Sequence, residues 1–106
     1  MKKVLFVCSQ NRLRSPTAEQ VFSTRADIEV ASAGTNNDAV TPLTAELVAW
    51  ADVIFVMEKE HRNKLQRRFK THLQARLVCL DIPDDYEFMD PDLVRLLENK
   101  VGRLLP

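Results

Sequence analysis

Short apolar runs alternate with segments of helical period along this chain. Residues 3–7, 28–32, 53–57 and 77–80 are apolar runs of strand length, rich in Val, Ile, Leu and Phe. Runs of this kind, separated by helical patterns, predict parallel strands buried on both faces. Between them, Ala18, Val21 and Phe22 share one helical face, and Leu43, Leu47 and Trp50 share another. Leu65, Phe69 and Leu73 recur every four residues, and Leu93, Leu97, Val101 and Leu104 mark a last helix. Trp50 is expected to pack against the sheet. Strictly alternating β and α segments imply right-handed crossovers. The predicted fold is a single α/β domain over residues 1–106, doubly wound, with a four-stranded parallel sheet flanked by helices.

Three Xaa-Pro pairs punctuate the helical segments: Ser15-Pro16, Thr41-Pro42 and Asp90-Pro91. Each reads as a capping residue followed by proline at the first helical position. This supplies a structural role for Asp90, which a search for catalytic carboxylates would otherwise select. Gly34 and Gly102 are the only glycines. A positive φ in the loop after the first strand therefore falls to another residue. Asn11 is the candidate, because Asn tolerates that region better than most residues.

Composition changes this picture little. The chain has 106 residues, enough for one small domain, and fifteen basic residues cancel fifteen acidic ones. Zero net charge gives no global argument for nucleic acid or an anionic membrane. No run reaches transmembrane length. Residues 4–7 are too short for the apolar core of a secretory leader, so a cytoplasmic protein is expected. Two cysteines do not make a disulfide framework, and a reducing compartment suits a reactive thiol.

Candidate chemistry concentrates in residues 4–19, VLFVCSQNRLRSPTAE. An apolar run ends at Cys8, five residues separate Cys8 from Arg14, and Ser15-Pro16 opens a helical pattern. A thiol, a loop of backbone amides, a guanidinium and a helix start are thereby aimed at one point. Amides at a helix N-terminus bind anions. Arginine forks onto two phosphate oxygens. Positive charge beside a helix start favours the thiolate form of a cysteine, which is the nucleophilic form. The opposing reading is a buried, inert cysteine ending a strand. The order of strand, Cys, loop, Arg, Ser-Pro and helix favours the anion site.

This stretch resembles the signature of the low-molecular-weight protein tyrosine phosphatases, a Cys-x5-Arg-Ser-Pro loop with Asn at its middle. Cys8, Asn11, Arg14, Ser15 and Pro16 match it. Ser32-Ala33-Gly34-Thr35 and the stretch of Met57, Glu58 and His61 are also similar to the family's pattern. Gln10 stands where the family usually has glycine, and Leu13 where many members carry a second cysteine. The segment between Thr35 and Thr41 is a short polar link, which marks a shortened member. The resemblance implies a metal-independent, cofactor-free phosphomonoester hydrolase acting through a phosphocysteine. Its substrate would be a phosphorylated protein or a small aryl phosphate. Cys8 would be the nucleophile. Backbone amides of residues Ser9, Gln10, Asn11, Arg12 and Leu13, together with Arg14, would hold the phosphoryl oxygens. Ser15 would hydrogen-bond the sulfur, and Ser32 would help Asn11 hold the loop.

The leaving oxygen needs a proton donor, and parallel α/β folds place such groups beyond the carboxyl ends of strands. Asp84 and Asp85 follow the fourth apolar run. Asp84-Asp85-Tyr86 resembles the family's Asp-Pro-Tyr triplet, so Asp84 is favoured over Asp85 on pattern alone. Tyr86 either lines the cleft or packs at the turn. Arg12 either meets a second anionic group or faces solvent.

Cys79 reads as core. The alternative is a resolving cysteine, as in the thiol-based arsenate reductases that share this loop. A third alternative is a phosphate or phosphoprotein binder that no longer turns over. His61 and His72 show no metal-ligand spacing. Lys59, Arg62, Lys64, Arg67, Arg68 and Lys70 form a basic run. A solvated helix face is the ordinary reading of such a run, with an acidic partner or nucleic acid as the minority one.

Overall fold

The computed structural model describes residues 1–105. Four strands, β1 (Lys2–Cys8), β2 (Ile28–Gly34), β3 (Val53–Val56) and β4 (Arg76–Cys79), form one sheet in the order β2-β1-β3-β4. All neighbours pair in parallel. The predicted fold class is therefore the observed one. The helices are α1 (Arg14–Phe22), α2 (Ala45–Trp50), α3 (Lys59–Arg68) and α4 (Pro91–Val101).

Side chains of a strand alternate between faces, and β1 distributes its buried residues accordingly. Val4, Phe6 and Cys8 join α1 and α4 in one core cluster, with Ala18, Phe22, Leu93, Leu97 and Val101. Leu5 and Val7 join the other cluster, with Val48, Leu65 and the partly buried Trp50, Phe69 and Leu73. Phe6 stacks between Phe22 and Phe55, with ring centroids 5.7 and 5.5 Å apart. Burial on both faces explains why β1 is an unbroken apolar run.

One of the three predicted caps is present. Asp90 caps α4, accepting from the Asp92 amide at 2.9 Å, with Pro91 in the first turn. Asp90→Ala should cost about 1 kcal/mol and leave catalysis nearly intact, as measured by urea unfolding beside a phosphatase assay. A large loss of activity at unchanged stability would give Asp90 a role in the chemistry. The other two caps are corrected. Helix α1 begins at Arg14 after Leu13, so Ser15 already lies inside its first turn with its hydroxyl turned to the sulfur. Helix α2 begins later than expected, capped by Thr44, whose hydroxyl accepts from the Leu47 amide. Pro42 instead bridges to Gly34 as a short parallel extension of the sheet. Leu43 is buried ahead of the helix, and Leu104 is exposed beyond α4.

The link after β2 is tied to the loop after β1. The amides of Thr35, Asn36 and Val40 donate to the carbonyls of Cys8, Ser9 and Gln10 at 2.9 to 3.0 Å. Gly34 permits this approach: a Cβ there would sit 2.5 Å from the Ser9 carbonyl oxygen and 2.5 Å from the Ala39 Cβ.

Candidate active site

Strand order reverses between β1 and β3, where open α/β sheets bind ligands beyond the carboxyl ends of their strands. The Cys8 loop occupies this position. Cys8, Ser9, Gln10, Arg12, Leu13, Arg14 and Asp84 line a pocket of about 110 Å³.

A directed hydrogen-bond network shapes the loop. Asn11 takes φ of 56°, the positive value expected of it, which turns the chain within the loop. Its amide nitrogen donates to Ser15 Oγ at 2.9 Å and to Ser32 Oγ at 2.8 Å. Both Asn11 hydrogens are then used. The Ser15 hydroxyl is left to donate to Cys8 Sγ, 3.0 Å away, and the Ser32 hydroxyl donates to Glu19 Oε1. Asn11, Ser15 and Ser32 are all buried. Among the described residues, the amides of Gln10, Asn11, Arg12 and Leu13 donate to no protein acceptor. Such a concave set of amides before a helix is suited to an anion.

Arg14 is 3% exposed, and its orientation is clamped. Nη1 donates to Glu58 Oε1 at 2.5 Å and to the Ile82 carbonyl at 2.8 Å. Both Nη1 hydrogens are thereby spent. Nε lies 3.7 Å from Asp84 Oδ1, and neither it nor Nη2 makes a hydrogen bond among the described residues. The Nε–Nη2 edge is the side that forks onto two oxygens.

Asp84 is exposed at the rim of this pocket, and Asp85 does not line it. Tyr86 is half-buried against the α1–α4 core cluster and takes the packing alternative. Arg12 is exposed yet contributes to the pocket wall. Gln10 places Oε1 in a buried position with no partner among the described residues. Cys79 is only half-buried, on the edge strand β4 and packed with the cluster opposite Cys8.

Glu58 and His61 reach the site, although as single residues neither carries a catalytic motif. Glu58 lies just beyond β3 and clamps Arg14. His61 is fully buried in the first turn of α3. Its Nδ1 accepts from the Glu58 amide at 3.0 Å, so Nε2 carries the proton and donates to Ser9 Oγ at 2.8 Å. His61 is therefore a support of the loop and not an isolated histidine. The signal was Glu-x-x-His directly after a buried strand, which places both side chains over the Cys8 loop. Glu58, Glu60 and His61 lie close enough to share a cation, but the contacts of Glu58 with Arg14 and of His61 with Ser9 already engage two of the three.

Burial pushes the His61 pKa down to about 4, and the nearby Arg14 charge acts in the same direction. The unfolded chain, with an ordinary histidine near 6.5, binds the proton more tightly. This contribution to stability is complete above pH 6.5 and lost as pH falls toward 4, by about 2 to 3 kcal/mol. Urea midpoints measured from pH 7 to 4.5 should fall in the wild type and flatten in His61→Gln. Equal slopes in both would show that His61 is not the group being titrated.

The first half of the chain also carries a family match. Residues 3–48 match the model described as low molecular weight phosphotyrosine protein phosphatase. No curated protein matches the sequence. Solved structures match along nearly the whole chain. A YwlE mutant from Bacillus subtilis shares 22% identity over 98% of this chain and 99% of its own, at TM-score 0.75. The YwlE arginine phosphatase from Geobacillus stearothermophilus shares 21% over 98% and 93%, at 0.78. SP-PTP, a low molecular weight protein tyrosine phosphatase from Streptococcus pyogenes, shares 20% over 100% and 95%, at 0.80. At these identities the structures establish the shared fold. The Cys8 loop, α1 and β2 all lie within the residues that match the low molecular weight phosphotyrosine protein phosphatase model.

Proposed function

We propose that this protein hydrolyses phosphomonoesters, phosphotyrosine in particular, through a phosphocysteine intermediate. One observation carries the reading. The Cys8 sulfur, the uncommitted amides of the loop, the free edge of Arg14 and the Asp84 carboxyl converge on one small pocket.

In the first step Cys8 Sγ attacks phosphorus, and the bond from phosphorus to the leaving oxygen breaks. Amides of residues 9–14 and the Nε–Nη2 edge of Arg14 hold the equatorial oxygens, where charge accumulates. Asp84 gives its proton to the leaving oxygen. In the second step Asp84 takes a proton from water, water attacks the phosphocysteine, and sulfur departs. The Ser15 hydroxyl, already oriented by Asn11, stabilises the departing thiolate. Every role is filled by a side chain or amide of this chain.

The arsenate reductase alternative needs a second thiol that can reach Cys8. Cys79 is two strands away, across β3, and belongs to the opposite core cluster. Two strand spacings are roughly 9.6 Å, beyond the Cα separation a disulfide spans. The binder alternative retains the cradle but not turnover. Hydrolysis of p-nitrophenyl phosphate in the presence of a chelator, by wild type and by Cys8→Ser, separates the readings. Turnover confined to the wild type is expected, and phosphate bound at Cys8 without hydrolysis would leave a binder. A phosphorylated protein is the natural substrate on this reading, in a reducing compartment such as the cytoplasm, where Cys8 stays available. Among the described residues no helix is long and apolar enough to cross a membrane.

A further inference from the structure

Beside the catalytic loop lies a second, open pocket of about 460 Å³, lined by Thr35, Asn36, Asn37, Lys64, Arg67 and Arg68. Its position differs from that of an ordinary solvated helix face. The Thr35 and Asn36 amides bond the carbonyls of Cys8 and Ser9, so one wall of this pocket is also the outer wall of the catalytic loop. Helix α3 supplies the other wall and is tied to the same loop by the bond from His61 to Ser9. Arg68 Nη1 donates to the Thr35 carbonyl at 2.6 Å and so links the two walls.

Its charge is also uncompensated. The chain has equal numbers of acids and bases. Among the described residues, however, none of Lys64, Arg67 and Arg68 forms an ion pair. Thr35 is 3% exposed, and its hydroxyl has no hydrogen-bond partner among the described residues. Three cations without an ion pair around one open pocket suit an anionic ligand.

We infer that this pocket docks acidic side chains flanking the phosphorylated residue of a protein substrate, an inference that rests on the phosphatase reading of the neighbouring pocket. Reach supports it. An extended peptide advances about 3.4 Å per residue, so a Glu two or three positions from the phosphotyrosine lies roughly 7 to 10 Å away. Residues lining the two pockets touch directly, since the Asn36 amide donates to the Ser9 carbonyl at 3.0 Å. A carboxylate is favoured over a nucleic-acid strand because the pocket has no aromatic platform for bases and the molecule has no net positive charge.

The test compares three phosphotyrosine peptides that differ only at the second and third residues on each side: Glu, Gln or Lys. In wild type at low salt, the Glu peptide should show kcat/KM about five- to tenfold above the Gln peptide, mainly through KM. The advantage should shrink in high salt. It should vanish or reverse in the double variant Lys64→Glu, Arg67→Glu, whose turnover of p-nitrophenyl phosphate should stay within about twofold of wild type. Equal use of the Glu and Gln peptides, or a preference that survives charge reversal, overturns the inference. If wild type hydrolyses none of the substrates, the phosphatase reading fails. Fluorescence anisotropy with the same labelled peptides then decides docking by the same comparison. Single-stranded DNA that binds wild type but not the double variant, without any preference for the Glu peptide, would give the pocket to nucleic acid and overturn the inference.

Discussion

Cys8→Ser should abolish turnover, with a loss of about 10⁴-fold or more, while phosphate and vanadate still bind. Sulfur is the stronger nucleophile, and a serine hydroxyl in its place needs a base to remove its proton. The groups around Cys8 Sγ supply a donor and not a base. Ser15 Oγ already accepts from Asn11, and its own hydrogen points to the sulfur. The cradle for the oxyanion is independent of the sulfur, being made of loop amides and the Arg14 edge that Glu58 and Ile82 hold in place. Binding and chemistry should therefore separate. The measurements are p-nitrophenyl phosphate turnover and vanadate affinity by calorimetry, on wild type and Cys8→Ser. Residual turnover above about one per cent, or loss of vanadate binding in a stably folded variant, would contradict this division of labour.

Asp84→Asn should slow hydrolysis of phosphotyrosine by about 100-fold or more. An activated nitrophenyl ester should suffer less, because its leaving group departs as a stable anion and needs little protonation. Asp84 is 64% exposed and 3.7 Å from Arg14 Nε, so its removal should have little effect on stability. Asp85→Asn is the matched control. It removes one charge from the same loop, at a side chain that does not line the pocket. Equal losses in the two variants would indicate a field effect of the loop. A larger loss in Asp85→Asn would move the acid by one residue. Full activity in both would leave the loop without an acid and strengthen the binder alternative.

Much of the fold was legible in the sequence because its cause is local. A strand buried on both faces must be apolar throughout, as Val4, Leu5, Phe6 and Val7 are, and helices flanking such strands announce themselves by period. The Cys8 loop was legible for the same reason. Its nucleophile, its positive-φ Asn11, its arginine and its helix start lie within eight consecutive residues. Local signals misled where a dipeptide had two uses. Ser15-Pro16 has the composition of a cap, but the Ser15 hydroxyl is committed to the sulfur. Thr41-Pro42 also has that composition, but Pro42 extends the sheet beside Gly34.

What the sequence determined by itself is a parallel α/β domain with a candidate anion loop after its first strand. The tertiary structure decided which distant residues complete that loop. Glu58 lies 44 residues from Arg14 and His61 lies 52 residues from Ser9. Parallel pairing of β1 with β3 brings their carboxyl ends together, and with them the start of α3. Asp84 reaches the rim by the same principle, from the loop beyond β4. No periodicity encodes such meetings. They arise because every strand of a parallel sheet ends at the same edge, so residues far apart in the chain become neighbours only when the sheet forms.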